Sequence, residues 1–288
     1  MLLKYFLIFQ SLVEVMSQLD RYRFIGKHLM SQQDENGKEL ANEFQLINPQ
    51  LIQIADKTLL NGATYEINNI FPTVIRNDDV VTVSFYSSNP ASSDWIGAYS
   101  PANVDITTTV PVKYGWCDEM STYLANSSVA GAGTGQLTFN MTNLRSDIAF
   151  YYFANALSKP VLVAKSSQVV TFENFNQPLR PRIVATGDPD VLKLLWSSAS
   201  SSAPTLQWGL LSGSYKTTVT AVTSTIEKSS MCGAPANTTG WRELGLIHTA
   251  EFVGLTELAN TPVFYHFGDA TTNDWSQEFK LFGNSALI

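Results

Sequence analysis

Apolar and polar residues alternate with a period of two along much of the chain after about residue 58. Val81, Val83 and Phe85 alternate with more polar neighbours, which predicts a half-buried β-strand. Turn-forming residues precede this segment at Asn77–Asp79 and follow it at Asn89–Pro90. Many short strands separated by turns predict an antiparallel sandwich. Further strands are predicted at 110–116, 136–141, 148–154, 161–164 and 168–172.

The alternation resumes after a linker marked by Pro178 and Pro181, since proline cannot continue a central strand. Leu192, Leu194 and Trp196 share one face of a predicted strand. Several strands with an early core tryptophan are typical of an immunoglobulin-like or fibronectin type III-like sandwich. Other predicted strands contain Leu206 with Trp208, Val219–Thr225, and Val263 with Tyr265 and Phe267.

The pattern therefore predicts an all-β chain with two tandem antiparallel β-sandwiches. We place the first at 58–176 and the second at 177–288, after an N-terminal segment at 1–57. In that segment, Lys4 and the apolar run after it are compatible with a signal peptide. Gln10 and Glu14 interrupt that run, and the helical spacing of Phe6, Phe9, Val13 and Met16 is also compatible with a short amphipathic helix. No run reaches the roughly 20 apolar residues of a membrane span, so none is predicted.

The net charge of −7 argues against nucleic acid and anionic membrane surfaces as partners. Charged residues make up only 15% of the chain, and a polar but uncharged surface suits a secreted protein. We therefore expect a secreted or extracellular location. Three Asn-x-Ser/Thr triplets are candidate glycosylation sites: Asn126, Asn140 and Asn237.

Residues for catalysis or metal binding are sparse and scattered. The histidines are His28, His248 and His266, each in a different predicted element, whereas a dinuclear centre needs several converging ligands. The chain has no G-x-S-x-G motif and no C-x-x-C motif. We predict no catalytic residue, no metal site and no cofactor in this chain.

Cys117 and Cys232 are the two cysteines, and they fall in different predicted sandwiches. In an oxidising compartment they could form one disulfide between the sandwiches, if their positions allow it. The alternative is a pair of free, buried thiols.

The segment Ser229–Thr249, here called the docking stretch, is long and irregular for a strand-rich chain. Such segments are usually functional or dock another surface. Its turn-forming half is followed by a Trp-Arg pair and a histidine. The candidate docking residues are Cys232, Gly233, Pro235, Trp241, Arg242 and His248.

Several segments resemble the N-terminal region of large plant-type purple acid phosphatases. Asp94–Gly97 and Ser100–Asn103 are similar to that family's DWIG and SPAN segments, and Asn143–Asp147 to its N-x-RSD segment. Pro181–Ile183 resembles the start of its fibronectin-like domain. The most specific match is to the signature SMCGAPA…GWR…IHT, at 230–236, 240–242 and 247–249. Glu243 and Leu244 depart from that signature, which has Asp-Pro there.

The resemblance covers about residues 75–282. It implies two sandwiches, of which the second is the fibronectin-like domain that packs on a catalytic domain. In the family, that metallophosphoesterase domain holds iron paired with zinc, manganese or iron, and hydrolyses phosphate monoesters at acid pH. Its ligand motifs are missing from this sequence, so a truncated product, a fragment and a regulatory paralogue are all compatible with it.

Three functions follow from these observations. The first is a non-catalytic accessory region that supports or docks a phosphatase catalytic domain or a homodimer partner. The second is an independent extracellular binding or adhesion module, which would need exposed coplanar rings at Trp95, Tyr99, Trp116 and Trp241. The third, an active acid phosphatase, is disfavoured by the scattered histidines.

Overall fold

The computed structural model describes residues 47–54, 62–157, 159–243 and 245–283. Most of the predicted N-terminal segment, including its signal or helix, lies outside these residues. Pro49–Ile288 is one compact unit, and it contains both sets of strands described below.

The described part of the first set contains ten strands and two short 3-10 helices. The helices are Pro49–Leu51 and Cys117–Glu119. The strands are β1 (Gln53–Ile54), β2 (Tyr65–Phe71), β3 (Val74–Ile75), β4 (Asp79–Ser87), β5 (Trp95–Tyr99), β6 (Lys113–Trp116), β7 (Thr134–Met141), β8 (Ala149–Ala154), β9 (Val161–Lys165) and β10 (Thr171–Phe172).

The described part of the second set contains nine strands and one 3-10 helix, Lys228–Ser230. The strands are β11 (Leu179–Ala185), β12 (Val191–Ser198), β13 (Pro204–Gly209), β14 (Thr217–Thr220), β15 (Val222–Ser224), β16 (Leu246–Val253), β17 (Pro262–Asp269), β18 (Asp274–Trp275) and β19 (Phe279–Phe282).

In the first sandwich, the five-stranded sheet β1-β9-β8-β5-β6 faces the three-stranded sheet β2-β4-β7. Most pairs are antiparallel, whereas β1 with β9 and β3 with β10 are parallel. Val81, Val83 and Phe85 are fully buried between the sheets, as their alternation predicts. Phe139 from one sheet meets Phe150 from the other, with ring centroids 5.1 Å apart.

In the second sandwich, the sheet β11-β12-β16-β15 faces the sheet β14-β13-β17-β18, whose strand β17 also pairs with β19. Its core is separate from that of the first sandwich and contains Leu194, Trp196, Phe252 and Phe267. Burying each such side chain contributes about 1.5–3 kcal/mol. The prediction of an all-β fold with tandem, mainly antiparallel sandwiches is confirmed.

Three predicted strands differ in extent from those in the structure. The segment 219–225 is divided between β14 and β15, which pair with β13 and β16 in opposite sheets. Ala221 is buried at the crossing point. The predicted strands 110–116 and 168–172 shorten to Lys113–Trp116 and Thr171–Phe172. Alternation reports which residues are half-buried, and it does not reveal where a chain changes its pairing partner.

Candidate functional site

The docking stretch begins as a series of tight turns. The Pro235 carbonyl accepts the N–H groups of Thr238 and Gly240, both at 3.0 Å, and the Trp241 N–H donates to the Thr238 carbonyl. Gly233 has φ +143°, a region that favours glycine over residues with a side chain. These turns hold Trp241 and Arg242 at the end of a compact loop.

Arg242 connects this loop to the first sandwich. One of its guanidinium nitrogens donates to the carbonyl of Val110, which lies between β5 and β6. The Val110 N–H donates in turn to the Thr239 carbonyl at 3.4 Å. Desolvation lowers the pKa of Arg242, and nearby Tyr99 opposes that shift. The docking stretch therefore contacts the neighbouring sandwich of its own chain.

The other predicted docking residues divide into two groups. Cys232 is exposed, and Trp241 is half-buried with its indole N–H donating to Glu243 at 3.2 Å. His248 instead lies in β16 and is fully buried. Of the docking residues predicted from sequence, Arg242 alone has a hydrogen bond to the first sandwich within the described residues.

A second contact between the sandwiches centres on Arg145, from the segment similar to N-x-RSD. Its guanidinium donates to the carbonyls of Phe175 at 2.8 Å and Gln177 at 2.6 Å. It also reaches the carbonyl of Ser197, at the end of β12, at 3.2 Å. Burial lowers the pKa of Arg145 to about 10, and the nearby charge of Arg180 adds to the shift. One cation thus ties the first sandwich to the linker and to the second sandwich.

Two asparagines of the linker complete this contact. Asn174 and Asn176 donate to the two carboxylate oxygens of Asp274 at 2.7 and 2.8 Å. The Asn176 side-chain oxygen accepts the N–H groups of Ala199 at 3.1 Å and Ser200 at 2.7 Å. The segment Ser197–Ser200 comprises the last two residues of β12 and the bend after them, and we call it the turn Ser197–Ser200. We call the set formed by Arg145, Asn174, Asn176, Asp274 and this turn the joint.

The linker asparagines were not predicted from the sequence, although the prolines that follow them were. The available signal was the pair of asparagines, two residues apart, of which the second is separated from Pro178 by Gln177 alone. Asparagine side chains commonly bond to nearby backbone groups in turns. Here they bond to groups far along the chain, which the local pattern does not reveal.

His248 lies directly beneath the joint. Its Nε2 is 2.8 Å from Ser198 Oγ, and its Nδ1 is 2.9 Å from Thr223 Oγ1. The Ser198 hydroxyl donates to the Ser200 carbonyl at 3.0 Å. Because a serine hydroxyl has one hydrogen, Ser198 Oγ accepts from His248, which places the histidine proton on Nε2. Desolvation lowers the pKa of this imidazole.

In the first sandwich, Asp94 of the DWIG segment belongs to a buried polar chain. Its carboxylate accepts from the Tyr123 hydroxyl, which also bonds to the Tyr152 hydroxyl. Its backbone carbonyl accepts the Cys117 N–H at 2.9 Å. Desolvation raises the pKa of Asp94, although its hydrogen bonds oppose the shift. These groups are enclosed in the core and give the DWIG segment a structural role.

The segments similar to SPAN and N-x-RSD lie together at one end of the first sandwich. The hydroxyl oxygens of Ser100 and Ser146 are 2.6 Å apart. Tyr151 donates to the Ala102 carbonyl at 3.2 Å. The SPAN segment therefore supports the loop from which Arg145 reaches the joint.

The rings proposed for an adhesion surface are mostly internal. Trp95 and Tyr99 are fully buried, and Trp95 stacks on Phe153 with centroids 4.1 Å apart. Trp116 and Trp241 are half-buried. Two of the four rings therefore cannot belong to an exposed stacking platform.

Both cysteines are free thiols in the structure, Cys117 buried and Cys232 exposed. The disulfide considered from the sequence is not formed here. Of the candidate glycosylation sites, Asn126 and Asn140 are exposed and Asn237 is half-buried.

The described residues do not fit a family-type metal pair. Among them, no group of three or more His, Cys, Asp or Glu side chains could hold a metal ion. No helix within the described residues is long and apolar enough to span a membrane.

Two family models match the chain in succession. The model for an Fn3-like domain from purple acid phosphatase matches residues 68–174, and the model for the purple acid phosphatase N-terminal domain matches residues 178–281. The fibronectin description therefore falls on the first sandwich, whereas the sequence resemblance attached it to the second.

Two proteins of Arabidopsis thaliana are similar to this chain. The chain is 34% identical over 235 residues to the Arabidopsis thaliana protein called probable inactive purple acid phosphatase 1, covering 73% of this chain and 37% of that protein. It is 32% identical over 226 residues to probable inactive purple acid phosphatase 27 of the same plant, covering 72% and 35%.

Among solved structures, purple acid phosphatase PPD1 from yellow lupin seeds is similar, with a TM-score of 0.69 and 29% identity. The alignment covers 78% of this chain and 42% of the lupin chain. This chain thus spans little more than a third of the length of the Arabidopsis relatives. Residues 68–281 of this chain carry the two N-terminal domains of the purple acid phosphatase family.

Proposed function

We propose that these two sandwiches are a non-catalytic accessory region of a purple acid phosphatase-like protein, which supports or docks a metallophosphoesterase domain. The observation that carries the proposal is the joint together with the Arg242 contact. Both connect the sandwiches at points remote in sequence, so the pair forms one preorganised scaffold. A rigid scaffold presents a surface to a neighbouring domain without the entropic cost of ordering it first.

The positions of the aromatic, arginine and histidine side chains that the sequence singled out support the same proposal. Trp95 and Tyr99 serve the core of the first sandwich, and Arg242 serves the contact between sandwiches. Both nitrogens of His248 are engaged by hydroxyls, and His266 is stacked between Tyr215 and Trp275 at 4.1 and 4.3 Å. The groups that would be expected to bind glycans or metals have structural partners instead.

Co-expression tests the docking partner. The full chain and the metallophosphoesterase region of the lupin relative are produced with different affinity tags and separated by size-exclusion chromatography with light scattering. We expect a one-to-one complex. Separate elution of two folded proteins would overturn docking of this domain. A species of twice the chain's 31.7 kDa would assign the homodimer as the partner instead.

The catalytic alternative has its own assay. The purified full chain, supplied with iron and zinc at acid pH, is expected to release no p-nitrophenol from p-nitrophenyl phosphate. The lupin enzyme serves as the positive control. Turnover accompanied by tightly bound iron in elemental analysis would contradict an accessory role.

A secreted location is part of the proposal and rests on composition and on the exposed acceptor triplets. Asn126 is the best-placed acceptor, since it is exposed and its side-chain oxygen accepts from the Ser128 hydroxyl at 3.1 Å. Production in a secretory eukaryotic host should give a band that shifts on glycosidase treatment. Asn126→Gln should reduce that shift, and secretion of an unshifted wild-type chain would contradict glycosylation.

A further inference from the structure

The turn Ser197–Ser200 is held from two sides. From the joint, Arg145 donates to the Ser197 carbonyl, and Asn176 accepts the N–H groups of Ala199 and Ser200. From the core of the second sandwich, His248 donates to Ser198 Oγ. One short turn therefore lies between a buried imidazole and the residues that join the sandwiches.

The turn has little room to adjust on its own. Gly245 has φ +79°, and a side chain at this position would come within 2.7 Å of the Ser198 carbonyl. Ser200 also donates through its hydroxyl to Asp269 at 3.0 Å. If Ser198 moves, the adjacent residues must move with it, including Ala199 and Ser200, whose N–H groups donate to Asn176.

The surroundings of His248 favour its neutral form. β12 contributes the Trp196 ring, 5.3 Å away, and the Ser198 hydroxyl, and β15 contributes Thr223. Two charges act on the imidazole: Asp269 of β17 favours protonation, and Arg145 of the first sandwich opposes it. Asp269 is already engaged, because it accepts hydrogen bonds from Ser200 and from the N–H groups of Ala203, Thr271 and Thr272.

Adding a proton to Nδ1 changes this arrangement. In the neutral form, Nδ1 accepts from the Thr223 hydroxyl, so protonation requires that hydroxyl to turn and accept instead. The new cation is enclosed away from water and repels Arg145, whose guanidinium holds the joint. Protonation keeps the hydrogen bond from Nε2 to Ser198 and weakens the bond between Arg145 and the Ser197 carbonyl, which holds the turn to the first sandwich.

We propose that His248 is an acid-sensitive positioning residue, whose protonation loosens the turn Ser197–Ser200 and frees the two sandwiches to move relative to one another. This regulation concerns the joint itself and does not depend on whether a phosphatase domain is the partner.

Electron paramagnetic resonance distance measurements on the full chain test the proposal. Nitroxide labels are attached at Thr138→Cys on β7 and Thr218→Cys on β14, both exposed, in a Cys232→Ser background. The distance distribution should broaden reversibly as the pH falls from about 6.5 to about 4, because burial lowers the pKa of His248 below the ordinary histidine value of about 6.5. A wild-type distribution that stays constant over this range would overturn the proposal.

Variants separate His248 from other titrating groups. His248→Gln keeps a donor for Ser198 and cannot titrate, so its distribution should stay narrow. His266→Gln removes a second imidazole, one that stacks on Trp275 and makes no hydrogen bond to His248, so this variant should broaden as the wild type does. Thr223→Val removes the acceptor for a protonated Nδ1, so the broadening should shift to lower pH. Equal broadening in His248→Gln, or an unshifted midpoint in a folded Thr223→Val, would also overturn the proposal.

Discussion

The two sandwiches bury titratable groups of opposite kind. The first encloses the carboxyl of Asp94, hydrogen-bonded to Tyr123 and, through it, to Tyr152. The second encloses the imidazole of His248 between two hydroxyls. Burial disfavours the charged form in each case, raising the pKa of Asp94 and lowering that of His248.

The same physical cause therefore has opposite consequences for stability. Acidification favours neutral Asp94 and so stabilises the first sandwich, whereas it favours charged His248 and so destabilises the second. Asp94 lies in the DWIG segment and His248 in the IHT segment. Two segments that both resemble one family can therefore give their sandwiches opposite responses to pH.

The largest expected effect comes from removing the stacked tryptophan of the first core. Trp95→Ala should cost about 3–5 kcal/mol, because it deletes a fully buried ring packed on Phe153. Urea unfolding gives the loss, and amide hydrogen exchange shows which sandwich loses protection. Trp116→Ala, at a half-buried position, is the matched control and should cost less. An equal cost in both variants would contradict the packing argument.

Arg145→Ala should have the next largest effect. It leaves the carbonyls of Phe175, Gln177 and Ser197 without their charged donor, a loss of about 2–4 kcal/mol. We expect hydrogen exchange to report two separate unfolding events in place of a coupled one. Arg182→Ala, an exposed arginine on β11, should leave the coupling intact. Unchanged coupling in Arg145→Ala would show that the asparagine contacts of the joint and the Arg242 contact are sufficient to couple the sandwiches.

His248 should make the second sandwich sensitive to acid below about pH 6.5, the ordinary pKa of histidine. The unfolded chain takes up a proton there while the folded chain resists it, so stability falls with pH by at most about 1.4 kcal/mol per unit. Hydrogen exchange of β12 and β16 over this range measures the slope. His248→Gln should remove it, and a persistent slope would assign the effect to another group.

Asp94 should give the first sandwich the opposite dependence at lower pH. At pH values between 3.8, the ordinary pKa of aspartate, and the raised pKa of Asp94, the folded chain holds a proton that the unfolded chain has lost. The stability of the first sandwich therefore falls as the pH rises through that interval, and it increases as the pH is lowered through the same interval. Asp94→Asn keeps an acceptor for Tyr123 and should flatten the curve. The same pH dependence in that variant would exclude Asp94 as its source.

The smallest expected effect concerns the thiols. Cys232 is exposed, whereas Cys117 is buried and has a raised pKa, chiefly through desolvation. Ellman's reagent should therefore react with one thiol in the native chain and with two in denaturant. Modification of Cys232 should leave the unfolding midpoint unchanged. The absence of any native reaction would indicate a disulfide or a covered docking stretch.

Alternation along the chain was enough to predict most of the fold. Val81, Val83 and Phe85 are buried as predicted, and Val263, Tyr265 and Phe267 likewise. A strand presents its side chains alternately to its two faces. The alternation of apolar and polar residues along a half-buried strand therefore shows which of its side chains are buried. The division of 219–225 between two sheets was not predictable in this way, because pairing depends on partners far along the chain.

The candidate site was predicted only in part. The docking stretch was recognised from its length and turn residues, and Arg242 within it does contact the first sandwich. The partners of Arg145 and Asn176 lie 23 to 98 residues away and include backbone groups, which carry no residue-specific signal. His248 was predicted as a docking residue, yet its position on β16 places it inside the second sandwich.

The sequence by itself determined that this chain forms two β-sandwiches and that it resembles purple acid phosphatases, because strand periodicity and short motifs are local properties. Only the tertiary structure decided that Arg145 and Asn176 join the sandwiches and that His248 lies beneath that joint. Those contacts join residues that are far apart along the chain. Local sequence patterns do not show which distant residues the fold brings close together.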